Sequence, residues 1–496
     1  TKDFNRPNSH FGTEAELKAL IAAADNLGLK IIIDAQLNHT ADYLEYPSTT
    51  YSPADYKPAA PFDNPAWYHN TPNIVNFDDP NEAQNYSLGG LDDLAQENPD
   101  CWQALMDAYW NPDTDSGWFS YGFAGSRVDA VIEIPPQYLA LYEQHTGKPS
   151  FGEAFTGSVD ANAAFQNYMW GMLDFPLYFQ MNKVFCKGEA WGGVKWVLDQ
   201  DDKYNDTNRL FTFLDNHDRS RFLANAGDNW AKLRLALAFQ YAVRGIPVVY
   251  YGTEQNMAGD FKYTEDTINY YNREMMSSFS ENTTTFQYLR RLNRLRREYS
   301  DLFTQGVQRE LYYSHGDPVY AFSRRNEKNG NELICLFNNS ASEQTRTITL
   351  NPGGASFTTG AQLTDLLNTD SVIQVQEGDV PNSRSITVTL PPNRAMMLTS
   401  GCPAEYHQPV YTQTRVIIHY DTGFGNTLSL RGDTLPLHWD FGQRCENVDA
   451  ATWQFILERP VSGNLSFKVL LNDTTWESGN NHVVQAGGTI ELWPSF

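Results

Sequence analysis

The chain has 496 residues, of which 41% are hydrophobic and 14% aromatic, so it is long enough for roughly two to four domains with large cores. Asp and Glu outnumber Lys and Arg by 60 to 36, and the resulting formal net charge of −24 excludes nucleic acid as an expected partner. No apolar run reaches the roughly eighteen residues of a membrane-spanning helix, which excludes the integral membrane class.

The first part of the chain predicts a parallel α/β domain. Apolar residues recur at helical spacing and end at Gly28: Leu17, Leu20, Ile21, Ala24 and Leu27. A short apolar strand at residues 30–34 follows and is expected to be fully buried. The same order predicts further strands at residues 126–132, 150–155, 210–214 and 246–251. Between residues 42 and 92 the periodicity stops, which indicates a long functional loop or an inserted subdomain.

After a helix near residues 285–299 the pattern becomes all-β. Residues 345–350 and 385–390 alternate with period two, which predicts an antiparallel domain at 305–400 behind a first domain at 1–304. Residues 401–413 are typical of a linker, and strand signals resume at 414–496, where a second all-β sandwich is expected.

Five cysteines are too few and too scattered for a disulfide framework or a zinc site. Cys101, Cys186 and Cys335 are expected to be buried thiols. Cys402 and Cys445 flank the last linker, and whether they pair stays open.

Three carboxylates stand at the ends of predicted strands, Asp129, Glu153 and Asp218. Each alone would be most simply a solvated or capping acid. Together they indicate a catalytic site, because cleavage of a glycosidic bond needs one carboxylate at the sugar centre and one carboxylic acid at the leaving oxygen. Arg127 shares a strand face with Asp129 and would keep it ionised. Glu153 has no cation beside it in the sequence, so we expect its pKa to be raised.

The three carboxylates lie in the segments 125–129 (GSRVD), 152–155 (GEAF) and 213–218 (FLDNHD). Together with residues 34–39 (DAQLNH) and 245–254 (GIPVVYYGTE), these segments resemble five motifs of the α-amylases of glycoside hydrolase family 13, in that family's order. The resemblance covers roughly residues 1–400. It implies a (β/α)8 barrel with a subdomain inserted at about 42–92, followed by two all-β sandwich domains. The strand at 30–34 corresponds to the family's third, so we expect the first two strands to be missing because the chain is a fragment.

The resemblance also assigns roles to residues. It implies that Asp129 is the nucleophile, Glu153 the general acid/base and Asp218 the transition-state stabiliser. It further implies a substrate-binding set in which the two histidines donate hydrogen bonds to sugar hydroxyls: Asp34, His39, Arg127, Glu133 and His217.

Asn38 and Asp93 match the family's calcium ligands. An amide, a carboxylate and main-chain carbonyls form the oxygen-only ligand set that Ca²⁺ prefers. The alternative is that Asp93 only caps the helix that follows.

Two positions depart from patterns in the family. Gly89 stands where relatives that make cyclodextrins carry an aromatic platform, and its lack of a side chain favours water over a sugar acceptor. Glu133 stands where amylases commonly have histidine, and it resembles the neopullulanase-like branch.

The C-terminal residues 414–496 resemble a starch-binding domain of carbohydrate-binding module family 20. Exposed indoles offer flat apolar faces on which glucose rings stack. The expected binding residues are Trp439, Lys468, Trp476 and Asn481. The alternative is that these tryptophans pack in the core of the sandwich, as is expected for Trp453.

The sequence thus predicts a secreted, extracellular, calcium-containing, monomeric enzyme that hydrolyses internal α-1,4-glucosidic bonds of starch and malto-oligosaccharides with retention. Two alternatives stay open. One is a hydrolase of the neopullulanase or cyclomaltodextrinase type, and the other is a non-catalytic glucan-binding protein. Neither nucleic acid nor a membrane is expected as a partner.

Overall fold

A computed structural model describes residues 1–263, 268–281, 283–350, 356–379, 383–401, 412–433, 437–440, 442–459 and 463–496. The chain forms two compact units. The first comprises Thr1–Leu177 and Asp199–Phe211, and the second comprises Tyr178–Leu198 and Thr212–Phe496. None of the helices in the described ranges combines the length and the apolarity needed to span a lipid bilayer.

A parallel sheet forms the centre of the α/β part, and its strand order follows the chain from β1 to β6. This is the sheet of a barrel-like α/β domain, as the sequence predicts. Each strand is short: β1 Ile33–Ala35, β2 Ser126–Val128, β3 Ser150–Gly152, β4 Gly171–Leu173, β5 Leu210–Phe213 and β6 Ile246–Val248. The register pairs Asp34 with Arg127, and Arg127 with Phe151. The carboxyl ends of β1, β2 and β3 therefore lie side by side.

Helices separate these strands along the chain. In the first unit they are α1 Glu14–Asn26, α2 Pro80–Asn85, α3 Pro99–Tyr109, α4 Pro136–Thr146 and α5 Val159–Phe165. The helix α6, Phe175–Met181, runs from the first unit into the second. The second unit adds α7 Gly192–Leu198, α8 Phe222–Asn225, α9 Trp230–Ala242, α10 Thr284–Glu298 and α11 Ser300–Thr304.

The first helix and strand differ from the expectation. Thr13 and Glu16 form a capping box at the start of α1, and the helix ends before Gly28 as predicted. Of its predicted apolar face only Ile21 is buried, whereas Leu20 and Leu27 are exposed. The strand that follows is also not fully buried, because Ile32 is exposed. Helical periodicity identifies residues that share a face but not the element that covers it.

The inserted region between 42 and 92 contains little regular structure. It holds a 3-10 turn at Pro65–Trp67 and the short helix α2. Its ends are held by the main chain of the motif residues, since Leu94 N donates to Asn38 O at 2.8 Å and Thr40 N donates to Asp92 O at 3.0 Å. The insertion is therefore anchored next to the end of β1.

The second unit continues with a two-stranded ribbon and an antiparallel β domain. The ribbon is β7 Phe261–Tyr263 with β8 Ile268–Tyr270. One sheet of the domain has the order β14-β13-β17-β11-β10-β9 and the other has the order β12-β16-β15. Their bounds are β9 Val307–Tyr312, β10 Val319–Arg325, β11 Glu332–Asn338, β12 Gln344–Leu350, β13 Gln362–Asp365, β14 Asn368–Gln374, β15 Gln376–Glu377, β16 Arg384–Leu390 and β17 Arg394–Thr399.

The period-two strands predicted here are confirmed as β12 and β16. They pair antiparallel, with Thr345 opposite Thr389 and Thr347 opposite Thr387. Their inward residues, among them Ile348 and Ile386, join one apolar core. On the opposite face of the sheet that contains β10 and β11, the rings of Phe322 and Phe337 contact Phe239 of α9.

The C-terminal sandwich has sheets of order β21-β22-β18-β26 and β20-β19-β23-β24, with β25 paired to β23. Its strands are β18 Thr412–His419, β19 Leu428–Gly432, β20 Gln443–Arg444, β21 Glu446–Asp449, β22 Thr452–Arg459, β23 Asn464–Leu471, β24 Thr475–Trp476, β25 His482–Gln485 and β26 Thr489–Leu492. Trp453 lies in its core, as expected. Cys445 is buried there too, whereas Cys402 lies outside the described residues.

The sandwich docks on the helix α9. Oε1 of Glu446 accepts a hydrogen bond from Ala231 N at 3.0 Å, and Arg234 lies 3.7 Å from its Oε2. A second contact joins Arg444 to Asp228 at 2.6 Å. A carboxylate at a helix N-terminus is favourable because it satisfies an amide without a helical partner and faces the positive end of the helix dipole.

Candidate active site

The ends of β1, β2 and β3 bring four charged side chains together in the first unit. Asp34 lies in β1, Arg127 in β2, and Asp129 and Glu153 directly follow β2 and β3. The main chain is fixed here, because Asp129 N donates to Ala35 O at 3.1 Å and Glu153 N donates to Val128 O at 2.9 Å. The predicted convergence of these residues is observed.

Glycine is required just before Glu153. A Cβ atom on Gly152 would lie 2.8 Å from the sulfur of Met169 and 2.9 Å from Cγ1 of Val131. Both distances are shorter than normal van der Waals contacts, so a side chain would displace the end of β3. Gly152 therefore helps to fix the position of the carboxyl group that follows it.

Arg127 is the centre of the charged cluster. Its Nη1 donates to Asp34 Oδ1 and to Asp129 Oδ1, both at 2.8 Å, and its Nη2 lies 2.6 Å from Glu153 Oε2. The last contact is an ion pair without hydrogen-bond alignment. Burial disfavours the charged guanidinium, but the three carboxylates outweigh burial and raise the pKa of Arg127 above its usual value.

The Arg127 contact with Glu153 corrects one sequence expectation. Glu153 was expected to have no neighbouring cation and hence a raised pKa. The cation comes from the adjacent strand, since Arg127 on β2 reaches the end of β3. The premise of that expectation is therefore wrong, because a guanidinium lies beside the carboxyl group of Glu153.

Asp129 and His39 have opposite charge preferences. Burial raises the pKa of Asp129, but Arg127, His39 and hydrogen bonds from the Glu153 and Gln36 side chains outweigh it, so the pKa lies below its usual value. Burial lowers the pKa of His39 to about 4, although Asp129 lies 3.6 Å from its Nε2. At neutral pH the carboxylate is ionised and the imidazole is neutral.

Asp218 and His217 lie in the second unit, in the loop after β5. His217 Nε2 is 3.2 Å from Asp218 Oδ2, and Arg273 Nη2 donates to Asp218 Oδ1 at 2.9 Å. All three side chains are partly exposed. Asp215, the third residue of the same motif, is buried and accepts a hydrogen bond from Phe222 N at 2.7 Å.

Asn38 and Asp93 meet in a buried polar pocket of the first unit. Oδ1 of Asn38 and Oδ1 of Asp93 are both buried and have no hydrogen-bond partner. His69 Nδ1 lies 2.5 Å from the other oxygen of Asp93, and its Nε2 lies 2.9 Å from Glu97. In the described residues no three His, Cys, Asp or Glu side chains are grouped as a metal site.

Glu133 is buried near two of these groups, the cluster around Arg127 and the pocket of Asn38 and Asp93. Burial raises its pKa to about 7, and the neighbouring charges of Asp129 and Asp93 act in the same direction. It is therefore a carboxyl group that holds a proton near neutral pH.

The C-terminal sandwich presents two parallel indoles. The rings of Trp439 and Trp476 stack at 6.4 Å with an interplanar angle of 25°, and 38% and 43% of these residues is exposed. Arg431 lies over the Trp476 ring. Lys468 donates to the main-chain oxygens of residues 477 and 479, and Asn481 is exposed. Both indoles lie outside the core, against the alternative left open by the sequence.

Sequence reasoning missed Asn272, Arg273, Gln36 and His69. Gln36 lies within the motif at residues 34–39, so its position could have suggested it, whereas His69 lies in the insertion, 24 residues from Asp93. Asn272 and Arg273 contact residues more than fifty positions away, and no local pattern marks them.

Two family models match the chain. One is described as the alpha amylase catalytic domain and matches residues 1–150 and 151–293. The other is described as the alpha amylase C-terminal all-beta domain and matches residues 312–401. Residues 414–496 lie beyond both matches.

Known proteins with similar sequences include amylases and glucanotransferases. A beta/alpha-amylase of Paenibacillus polymyxa is 33% identical over 80% of this chain and 31% of its own length. A cyclomaltodextrin glucanotransferase of Geobacillus stearothermophilus is 31% identical over 70% of this chain and 48% of its own. The chain thus spans less than half the length of these two relatives.

A solved structure has the same fold. It is a cyclomaltodextrin glucanotransferase with a three-domain arrangement, and it superposes with a TM-score of 0.69 at 27% identity. The superposition covers 81% of this chain and 82% of that one.

Proposed function

The chain belongs to the α-amylase family of glycoside hydrolases, and within that family we propose that it cleaves internal α-1,4-glucosidic bonds of starch and malto-oligosaccharides with retention of configuration. The observation that carries the proposal is the contact of one guanidinium, that of Arg127, with three carboxyl groups at adjacent strand ends.

The charges of this cluster suit a nucleophile and an acid. Arg127 keeps Asp129 ionised, as a nucleophile must be. We assign the general acid to Glu153, which directly follows β3 beside Asp129 at the end of β2. Glu153 can then protonate the leaving oxygen, and as the conjugate base it can later activate water. Neutral His39 can donate a hydrogen bond to a sugar hydroxyl.

Asp218 completes the proposed set as the stabiliser of the oxocarbenium-like transition state. Its assignment follows the motif in residues 213–218 and the position of that motif after β5. His217 is a hydrogen-bond donor to sugar hydroxyls in this proposal.

Substitution of the three carboxyl residues tests the proposal. Asp129→Asn, Glu153→Gln and Asp218→Asn should each reduce starch hydrolysis at least about a thousandfold while leaving the melting temperature nearly unchanged. Asp317→Asn is the matched control, because Asp317 is also a largely buried carboxylate paired with an arginine, Arg346, but lies in the β domain. Equal activity of Asp129→Asn and the control would refute the assignment.

We also propose that Asn38 and Asp93 hold a calcium ion. Two buried oxygens without hydrogen-bond partners and the charge of Asp93 fit a hard cation that prefers oxygen ligands. The ion would neutralise Asp93 and cross-link the insertion to the segment that carries His39. It supplies charge and rigidity, and no chemical step passes through it.

A further proposal concerns the C-terminal sandwich, to which we assign starch binding through Trp439 and Trp476. Two exposed, nearly parallel rings 6.4 Å apart offer apolar faces on which glucose units can stack, and Asn481 can bond sugar hydroxyls. Lys468 has a different use here, because its ammonium holds the loop at residues 477–479. We also propose that the enzyme is secreted, because a starch granule is too large to enter a microbial cell.

Transfer to a sugar acceptor is the second candidate activity, since relatives include cyclomaltodextrin glucanotransferases. Gly89 favours hydrolysis. A Cβ at Gly89 would meet no atom within 4 Å, so Gly89→Tyr can be accommodated, although its φ of +58° disfavours side chains. We expect Gly89→Tyr to raise the ratio of transfer to hydrolysis. Gly147→Tyr, another open glycine with φ of +59°, is the control.

Glu133 favours a variant of the hydrolytic proposal. If the enzyme is of the neopullulanase or cyclomaltodextrinase type, it will cleave cyclodextrins or pullulan faster than soluble starch. Rates on the three substrates at equal glucose concentration distinguish this type from an endo-amylase.

A further inference from the structure

Three consecutive residues, Asn272, Arg273 and Glu274, hold the loop that carries Asp218. We call them the clamp, and we call residues 216–221 the Asp218 loop. Both lie in the second unit. Each clamp residue contacts a different part of the loop.

Asn272 holds the main chain. It is fully buried, and its Nδ2 lies 2.7 Å from His217 O, 3.0 Å from Arg219 O and 3.4 Å from Asn216 O. Three main-chain carbonyls that converge on one buried amide nitrogen define the path of the loop. The amide of Asp218 between them bonds Asn216 Oδ1 at 3.0 Å.

Arg273 holds the functional side chain. Its Nε donates to His217 O at 2.8 Å, and its Nη2 donates to Asp218 Oδ1 at 2.9 Å. The guanidinium is planar and rigid, so its two bonds fix one carboxylate oxygen relative to the main chain. His217 contacts the other oxygen. The carboxylate therefore has a defined orientation before any sugar binds.

Glu274 holds the end of the loop. Its Oε2 accepts from Arg221 Nε at 2.9 Å and its Oε1 accepts from Gly259 N at 3.0 Å. Arg221 is fully buried and also donates to Tyr251 O. The clamp is thereby tied to a rigid buried arginine.

The solvent exposure of the Arg273–Asp218 pair indicates whether the pair serves folding stability or catalysis. The Arg273–Asp218 pair is partly exposed, with 41% and 38% of the side chains accessible. Ion pairs of this kind contribute little to folding stability. Their geometry, however, matters where charge develops in a transition state, because misplacement by one ångström can cost about a hundredfold in rate.

We propose that Asn272 and Arg273 are positioning residues that orient Asp218 toward the reacting sugar. The inference rests on the proposed role of Asp218 in glycoside hydrolysis. Arg273 acts through Asp218 in this account, so its loss should lower turnover rather than substrate binding.

The test compares Arg273→Met and Arg273→Lys with the wild type on soluble starch. Arg273→Met should lower kcat about ten- to a hundredfold, with KM changed less than about threefold and an unchanged melting temperature. Arg273→Lys should recover part of kcat, because an ammonium can reach Asp218 without also fixing the His217 carbonyl. Arg309→Met is the matched control, since Arg309 forms an equally exposed ion pair with Glu327 in the β domain.

Two outcomes would overturn the inference. A raised KM with unchanged kcat would make Arg273 a substrate contact, and kinetics equal to those of Arg309→Met would leave the pair without a role. Asp218→Asn distinguishes these from failure of the proposed function. If Asp218→Asn keeps wild-type kcat, the role of Asp218 itself is refuted. If it is inactive while Arg273→Met is normal, only the positioning role is refuted.

Discussion

Removal of the Glu446 carboxylate should destabilise helix α9, although Glu446 is more than two hundred residues away from this helix in the sequence. Glu446 is buried, accepts a hydrogen bond from Ala231 N and from Gln454 Nε2, both at 3.0 Å, and faces Arg234. It joins the C-terminal sandwich to the first turn of a helix that begins soon after the Asp218 loop.

The size of the effect follows from what is lost. Glu446→Ala removes a charged hydrogen bond to a buried amide, which costs about 1.5–3 kcal/mol. It also removes a negative charge at a helix N-terminus, which costs about 0.3–1 kcal/mol. The sum, about 2–4 kcal/mol, should lower the melting temperature by about 4–8 °C. Glu446→Gln keeps an acceptor and should lose only about 1 kcal/mol.

Calorimetry and hydrogen exchange are the assays. The melting temperature should fall in the order wild type, Glu446→Gln, Glu446→Ala. Because several domains need not unfold together, exchange of peptides that cover residues 229–242 supplies the local measure. These amides should exchange faster in Glu446→Ala, whereas exposed Glu343→Ala should resemble the wild type.

Equal melting temperatures and equal amide exchange in Glu446→Ala and Glu343→Ala would refute this reasoning.

The contact of Glu446 with α9 also changes how the starch-binding proposal should be tested. Deletion of residues 414–496 removes Glu446 together with the proposed starch-binding face, so it would change the packing of α9 as well as granule binding. Point substitutions on the exposed face avoid this loss.

Three further predictions address the proposed sites. Chelation should lower the melting temperature of the wild type but not of Asn38→Ala, since a native-state ligand stabilises in proportion to the logarithm of its excess; equal melting with and without chelator, and no metal by elemental analysis, would contradict the calcium site. Trp476→Ala should weaken adsorption to starch granules about tenfold and leave soluble-starch kcat unchanged, with exposed Trp196→Ala as the control; unchanged adsorption would contradict the binding face. Burial raises the pKa of Glu133 from its usual value of about 4.5 to about 7, so between these pH values the folded state keeps a proton that the unfolded state has lost, and stability falls by up to about 3 kcal/mol as pH rises; Glu133→Gln in chelator should therefore flatten the fall in stability between about pH 4.5 and 7, and an unchanged pH profile would contradict the shift.

Most strands of the α/β part could be predicted from the sequence, because buried parallel strands appear there as short apolar runs that end in polar residues. The positions of Asp34, Asp129 and Glu153 at neighbouring strand ends follow from this pattern and from the order of the motifs. The strand β4 was missed because it begins with Gly171, and glycine is depleted in strands.

Contacts between distant segments could not be predicted. The reach of Arg127 from β2 to Glu153 depends on strand register, which a single strand's sequence does not specify. The contact of Glu446 with Ala231 depends on how a whole domain docks. Local patterns identified the reactive groups, and tertiary contacts decide their charge states and orientations.

The most direct test of the central claim is the anomeric form of the first product. Proton NMR during the first minutes of malto-oligosaccharide cleavage, before mutarotation, reports which anomer is released. Nucleophilic attack by Asp129 and return of water assisted by Glu153 involve two inversions, so the product should appear as the α-anomer. Initial appearance of the β-anomer would show a single inversion and would contradict the assigned roles of both residues.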